Sequence, residues 1–521
     1  MKLIFSAALL AALSLGTAQA QTLRWASQGD LQTLDPVSRN ESLTNSLNGQ
    51  VYEYLTGRDK NLGIVPALAT EWQQTGPLQW RMKLRPNVKF HDGTPFTADD
   101  VVFSVKRATD KGSDIKAYAT AMGEPKKVDN LTVEFNLAQV NPIFLEHANS
   151  VFIMSKAWSE KNNVVKPQDF NAGEQSYAAL NANGTGPFMV VSRQPDVKTV
   201  YKRNPNWWGQ FDGNVQNVIY TPIKSNSTRV AALISGELDM ILDPPPTDTP
   251  RLRSTPGVKV IDGPENRIIF IGMDQAREEL LYSSVKGKNP FKDQRVRQAL
   301  YQAVDEESIK TKLMRGLAAP TGAVMVSPKG TFNDPELEKR LPFDLEASKK
   351  LMAAAGYPEG FEVTLDCPND RYVNDEEICK TLSSMWARLG VKVRVNTMPR
   401  SVYFAKLGNL DTSMYMLGWG GSVTDAETTF TPIYKTRAGV NGQFNYGQVS
   451  NPKLDQLTGA SSKEPDPVKR EALIKAAIKE HNEQVHHIPL HRQFIPWSMR
   501  DNVSVVHRAD NWLEWAWVTV K

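Results

Sequence analysis

Residues 361–425 read FEVTLDCPNDRYVNDEEICKTLSSMWARLGVKVRVNTMPRSVYFAKLGNLDTSMYMLGWGGSVTD. A run of strand character at 361–366 gives way to a polar loop and then to helical spacing over 374–389. A second strand-like run follows at 391–397, a second helix at 401–408 and a third strand at 413–417. Strand, helix, strand, helix, strand in that order predicts a doubly wound α/β unit with a parallel sheet and right-handed crossovers. Ligands of such sheets sit beyond the carboxyl ends of the strands, where the strand order reverses.

Two loops leave strands there with opposite charge, Arg371 after the first strand and Asp425 after the third. A guanidinium fork takes a carboxylate through two parallel hydrogen bonds. An Asp one ligand-length away takes an ammonium, so the pair reads as a clamp for a zwitterion such as a free peptide. The alternative is a pair of solvated loop charges. Trp419, between Gly418 and the glycines Gly420 and Gly421, is either a cleft wall or a core ring under a tight turn. Tyr372, Asn374 and Tyr403 belong to the same rim.

Outward from this block, strands are expected at 218–223, 239–242 and 268–273. Ser227 and Asp293 are placed to cap helices. At the start of the chain a strand at 22–26 runs into the turn Ser27-Gln28-Gly29-Asp30, expected on the opposite wall of the cleft, and helical spacing covers 43–55. Residues 62–137 switch to short alternating runs interrupted by one helix, where Thr97 and Asp100 form a capping box. That block reads as an α+β domain of its own.

The first 20 residues have a basic start at Lys2, an apolar run over 3–15 and a small-residue cleavage site at Ala18-Gln19-Ala20, which is a secretory signal peptide. Gln21, not Cys, follows the cut, so no lipid anchor is expected and the mature chain is assigned to the periplasm. Without Lys2 the chain carries 60 Lys and Arg against 57 Asp and Glu, scattered along its length, which gives no electrostatic footprint for nucleic acid. The two cysteines, Cys367 and Cys379, form a disulfide in an oxidising compartment or stay a reduced buried pair. His481, His486, His487 and His491 cluster near the end, but Pro489 interrupts any helix that could present the last two together, so structural histidines are expected and no metal site. No G-x-S-x-G, H-E-x-x-H or phosphate-loop motif occurs, and no catalytic residue or cofactor is assigned.

The stretch WRMKLRPNVKFHDGTPFTADDV at 80–101 resembles the signature of the extracellular solute-binding proteins of family 5. TGPF at 185–188, RNPNWW at 203–208, SGELD at 235–239 and PFKDQRVRQAL at 290–300 agree with it, in order along the chain. The resemblance implies a type II periplasmic-binding-protein fold, with two α/β lobes joined by a hinge around a cleft and an extra α+β domain inserted in the first lobe. It divides the chain into lobe 1 at 21–60, 186–271 and 496–521, the insertion at 61–185, and lobe 2 at 272–495. It implies a monomeric, non-enzymatic receptor that closes over a short peptide and delivers it to the permease of an ATP-binding cassette importer. An opine, a sugar, nickel or a metal chelate is the alternative cargo, with a hydrolase or chaperone as rivals of another class. Arg371 and Asp425 stand where peptide-binding members hold the ligand termini, although the loop at 420–427 is poorer in Asp than that of a typical dipeptide binder.

Overall fold

The computed structural model describes residues 21–325, 334–421, 423 and 425–521; the signal peptide read at 1–20 lies outside them. The decisive block folds as its pattern predicts. Strands Glu362–Pro368, Lys392–Met398 and Met414–Gly420 alternate with helices Asp375–Ala387 and Arg400–Gly408. The first strand lies between the other two and runs parallel to both, so strand order reverses beside it. Alternate residues of the central strands face opposite layers. Ile269, Ile271, Met273, Met414 and Met416 enter one core. Phe270, Tyr415 and Leu417 enter the other. Burial on both faces explains why 414–417 reads as an unbroken apolar run.

These strands belong to one 11-stranded sheet that spans both halves of the molecule. The far half is Met240–Leu242, Thr22–Ser27, Asn217–Pro222, Lys198–Arg203 and Phe188–Gln194, in that order. Among the described residues, the strands that run from one half into the other are Val258–Met273 and Ile488–Arg500. Their antiparallel pairing breaks register between Pro264 and Ile268. A register break bends and twists a ladder locally, which places a pivot where the two halves join.

The extra domain is a four-stranded antiparallel sheet of Ala69–Gly76, Gln79–Leu84, Thr132–Asn136 and Glu124–Asp129 with its own core. Thr97 and Asp100 form the expected capping box of helix Ala98–Ala108. Arg107 on that helix donates to both oxygens of Asp35, at 2.8 and 2.6 Å, and anchors the domain to the first lobe. The helix expected to be capped by Ser227 begins two residues earlier, because the Ser225 hydroxyl caps Asn226–Ser235. The N-terminal helix is confined to Ser42–Asn48 and is capped by the Glu41 carboxylate.

Candidate functional site: a cleft between the lobes

Arg371 sits in the loop after Glu362–Pro368, a loop closed at its base by the Cys367–Cys379 disulfide. Asp375 holds the loop from within, accepting from the backbone N–H groups of Arg371 and Tyr372 at 2.8 and 3.0 Å. The Arg371 side chain is 10% exposed and lies beside Glu41 of the first lobe, with Nε 3.0 Å from Oε1. Neither Nη of Arg371 donates to an acceptor among the described residues, so both are offered to the cleft. Burial lowers its pKa from the ordinary arginine value, with Glu41 opposing the effect.

Glu41 is the hub of the site. One oxygen accepts from Leu43 N–H at 3.2 Å and from Arg400 Nη1 at 3.2 Å; the other accepts from Thr44 N–H at 2.9 Å and its hydroxyl at 3.0 Å. Burial alone would raise its pKa, yet Arg371, Arg400 and the two backbone donors hold it at about 2. Arg400 begins the helix after strand Lys392–Met398 and also donates to the Asp370 carbonyl. A carboxylate of one lobe thus binds two guanidiniums of the other, all at or below 10% exposure. Gln28 adds a second link across the cleft, donating to the Tyr372 carbonyl at 3.2 Å.

Arg267 lines the floor, donating to Glu265 at 2.8 Å and to the Gly418 carbonyl at 3.1 Å, while its Nη2 is buried without a partner among the described residues. Gly418 has to be glycine: a Cβ there would lie 2.5 Å from the Tyr372 ring. The walls are aromatic. Tyr54 stacks on Phe152 with centroids 4.0 Å apart, and Trp419 packs at 4.9 Å from Phe444. The Trp419 indole donates to the Thr428 carbonyl at 2.8 Å, which turns the ring to the cleft. About 110 Å³ between these walls is open to the centre of a water molecule.

Of the residues singled out in the sequence, Arg371, Tyr372, Trp419, Gly420 and Gly421 line this cleft. Four others do not. Both oxygens of Asp425 pair with Arg470, at 2.7 and 2.8 Å, and Asp425 is not among the residues that line the cleft. Asn374 adopts a left-handed conformation (φ 57°) at the start of helix Asp375–Ala387 and donates to Leu313. Ser27 donates to Asp243 at 3.1 Å. Tyr403 is fully buried and hydrogen-bonds the Met416 carbonyl. The histidines are buried among one another and their neighbours: His481 meets His487 at 2.8 Å and His491 meets Glu306 at 2.7 Å.

Glu41, Arg400 and Arg267 escaped the sequence reading. Arg400 had a signal, since it follows a strand of the parallel unit just as Arg371 does. Glu41 lies just ahead of the helical spacing at 43–55 and carries no local signal, since Glu is an unusual N-cap.

Residues 63–441 match the family described as bacterial extracellular solute-binding proteins, family 5 Middle. The glutathione-binding protein GsiB of Pectobacterium atrosepticum is 25% identical over 457 residues, covering 85% of this chain and 83% of that protein. Among solved structures, DppA of Helicobacter pylori in complex with the peptide STSA superposes with a TM-score of 0.84 at 21% identity, over 96% of this chain and 98% of that one. MoaA of A. tumefaciens R10 in complex with mannopinic acid also gives 0.84, at 23% identity, over 96% and 100%. The fold is that of a type II periplasmic binding protein, and the chain belongs to the bacterial extracellular solute-binding proteins of family 5.

Proposed function

We propose that this substrate-binding protein captures a short peptide or peptide-like acid in the periplasm and hands it to the permease of an ATP-binding cassette importer. The observation that carries the reading is Arg371, a nearly buried guanidinium whose two Nη groups face an aromatic-walled cleft between the lobes. A ligand carboxylate would take both in a fork, and contacts to both lobes would favour closure about the register break at 264–268. On this reading lobe 1 is 21–60, 186–271 and 496–521, the insertion 61–185 and lobe 2 272–495, with the register break at 264–268 lying a few residues ahead of the 271 bound. The chain acts as a freely diffusing monomer after signal-peptide removal, without catalysis and without a nucleic-acid partner.

The charged groups that line the cleft are donors apart from Glu41, whose oxygens already hold Arg371, Arg400, Leu43 and Thr44, while Asp425 pairs with Arg470 outside that lining. That favours a ligand whose acid is its anchor and whose nitrogen is met by neutral amides and ring faces. A second reading, an opine-like amino acid conjugate, rests on the same engagement of Asp425. Calorimetry with a free-acid dipeptide, its C-terminal amide and its N-acetyl derivative tests the assignment. Binding should require the free acid and tolerate acetylation; equal binding of acid and amide would overturn it.

A further inference from the structure

Behind the cleft wall made by Tyr54, Phe152 and Trp512 lies a second cavity, between the first lobe and the inserted domain, with about 250 Å³ open to the centre of a water molecule. That is room for a head group of several heavy atoms. Its lining includes Tyr54, Trp207, Trp208 and Trp517, and two carboxylates, Glu53 and Glu514, of which Glu514 is paired with Arg508. The indole N–H groups of Trp207 and Trp208 donate to the two oxygens of Glu53 at 3.0 and 2.9 Å. A carboxylate has about four lone-pair sites, so acceptor capacity remains beside the two indoles and the nearby Thr185 hydroxyl.

Glu53 differs from the deeply placed carboxylates around it. Asp35 has Arg107, Glu265 has Arg267 and Asp510 has Arg508 in direct contact. Glu53 has no Lys or Arg nitrogen within 4.0 Å among the described residues. The arginines that line the cavity are engaged elsewhere, Arg58 with Glu146 and Arg508 with Asp510 and Glu514. Arg85 stacks over Trp208 at 3.8 Å from the ring centroid and donates to the Ala67 carbonyl, so it shields Glu53 without pairing with it. Burial raises the Glu53 carboxyl to about 7 despite the donors around it, the mark of an acid lacking a counterion.

A carboxylate without a cation, set among indole and phenol rings, is the donor set that recognises an organic ammonium group. We propose that this cavity is a second binding site, separate from the cleft, for a small organic cation of the quaternary ammonium type, seated against Glu53 and the faces of Trp207, Trp208 and Tyr54. Choline chloride is the probe, titrated into the full-length mature protein at pH 8 by calorimetry, with 3,3-dimethylbutan-1-ol as its uncharged analogue. Choline should saturate one site, with the uncharged analogue at least tenfold weaker. Glu53→Gln, which keeps an oxygen for one indole, should weaken choline at least tenfold while the melting temperature holds. Failure of choline to saturate overturns the proposal, and so does equal binding of the uncharged analogue. The comparison of probes on the unsubstituted protein needs no variant to fold.

Discussion

Replacing Glu41 by Gln removes the charge that joins the lobes while nearly keeping the side-chain shape. Holding a carboxyl at about 2 instead of 4.5 corresponds to about 3 kcal/mol of preference for the charged form in this setting. The side chain is only 2% exposed, so solvent screens little of it. The variant would leave Arg371 in a closed cleft without an anionic partner and Arg400 with Asp370 alone, at 3.7 Å, a cost of about 3–5 kcal/mol for a broken buried pair. Opening the lobes returns both guanidiniums to water, so the loss appears as opening and not as unfolding. Weaker capping of helix Ser42–Asn48 adds only about 1 kcal/mol. Ligand-stripped Glu41→Gln should therefore give a larger radius of gyration in small-angle X-ray scattering than the unsubstituted protein. Solute affinity should fall up to about a hundredfold, since about 3 kcal/mol of closure must now come from the ligand. The pH dependence has a definite sign. The Glu41 pKa is depressed, so its contribution is full above about 4.5 and is lost only as pH falls through about 2. Scattering of the unsubstituted protein should not change between pH 7 and pH 5 on this group's account. Identical scattering of the two proteins, with affinities within about twofold, would refute the reasoning.

Arg371→Ala should cost about 2–5 kcal/mol of binding to an acidic solute, and Arg371→Lys should not restore it, because an ammonium lacks the fork; calorimetry reads both. Cys367→Ser with Cys379→Ser should lower stability by about 2–3 kcal/mol and weaken binding, since the Arg371 loop must then be ordered by the ligand. Unchanged affinity in that double variant would remove the preorganising role of the bond. Asp425→Asn should destabilise the protein by about 1–3 kcal/mol, by stranding Arg470, and leave solute affinity within about threefold. A hundredfold loss would return Asp425 to the cleft.

The parallel unit was legible because periodicity and length separate its strands from its helices, and the switch-point rule then pointed to the loop of Arg371; it left Trp419 open between cleft wall and core ring, and the ring packs in a core while lining the cleft. The same rule named Asp425, and there it stopped short. Which way a loop carboxylate turns depends on Arg470, 45 residues further on, and no local pattern encodes that pairing. Asn374 and Tyr403 failed for a related reason, as nearness to the rim in sequence does not fix side-chain direction, and one serves a helix start while the other fills a core. Glu41 is the largest omission. Its role is set by two arginines more than 300 residues away, a contact that exists only once the lobes have been brought together.

Arg371 is the proposed anchor for a small acid in the cleft. Native mass spectrometry of the purified protein, followed by denaturing release and mass measurement of whatever is bound, tests it most directly. One solute per chain is expected, of peptide or amino acid conjugate mass with a free carboxylate, and absent from Arg371→Ala prepared alongside. A bound metal, a solute without an acid group, or the same solute retained by Arg371→Ala would contradict it.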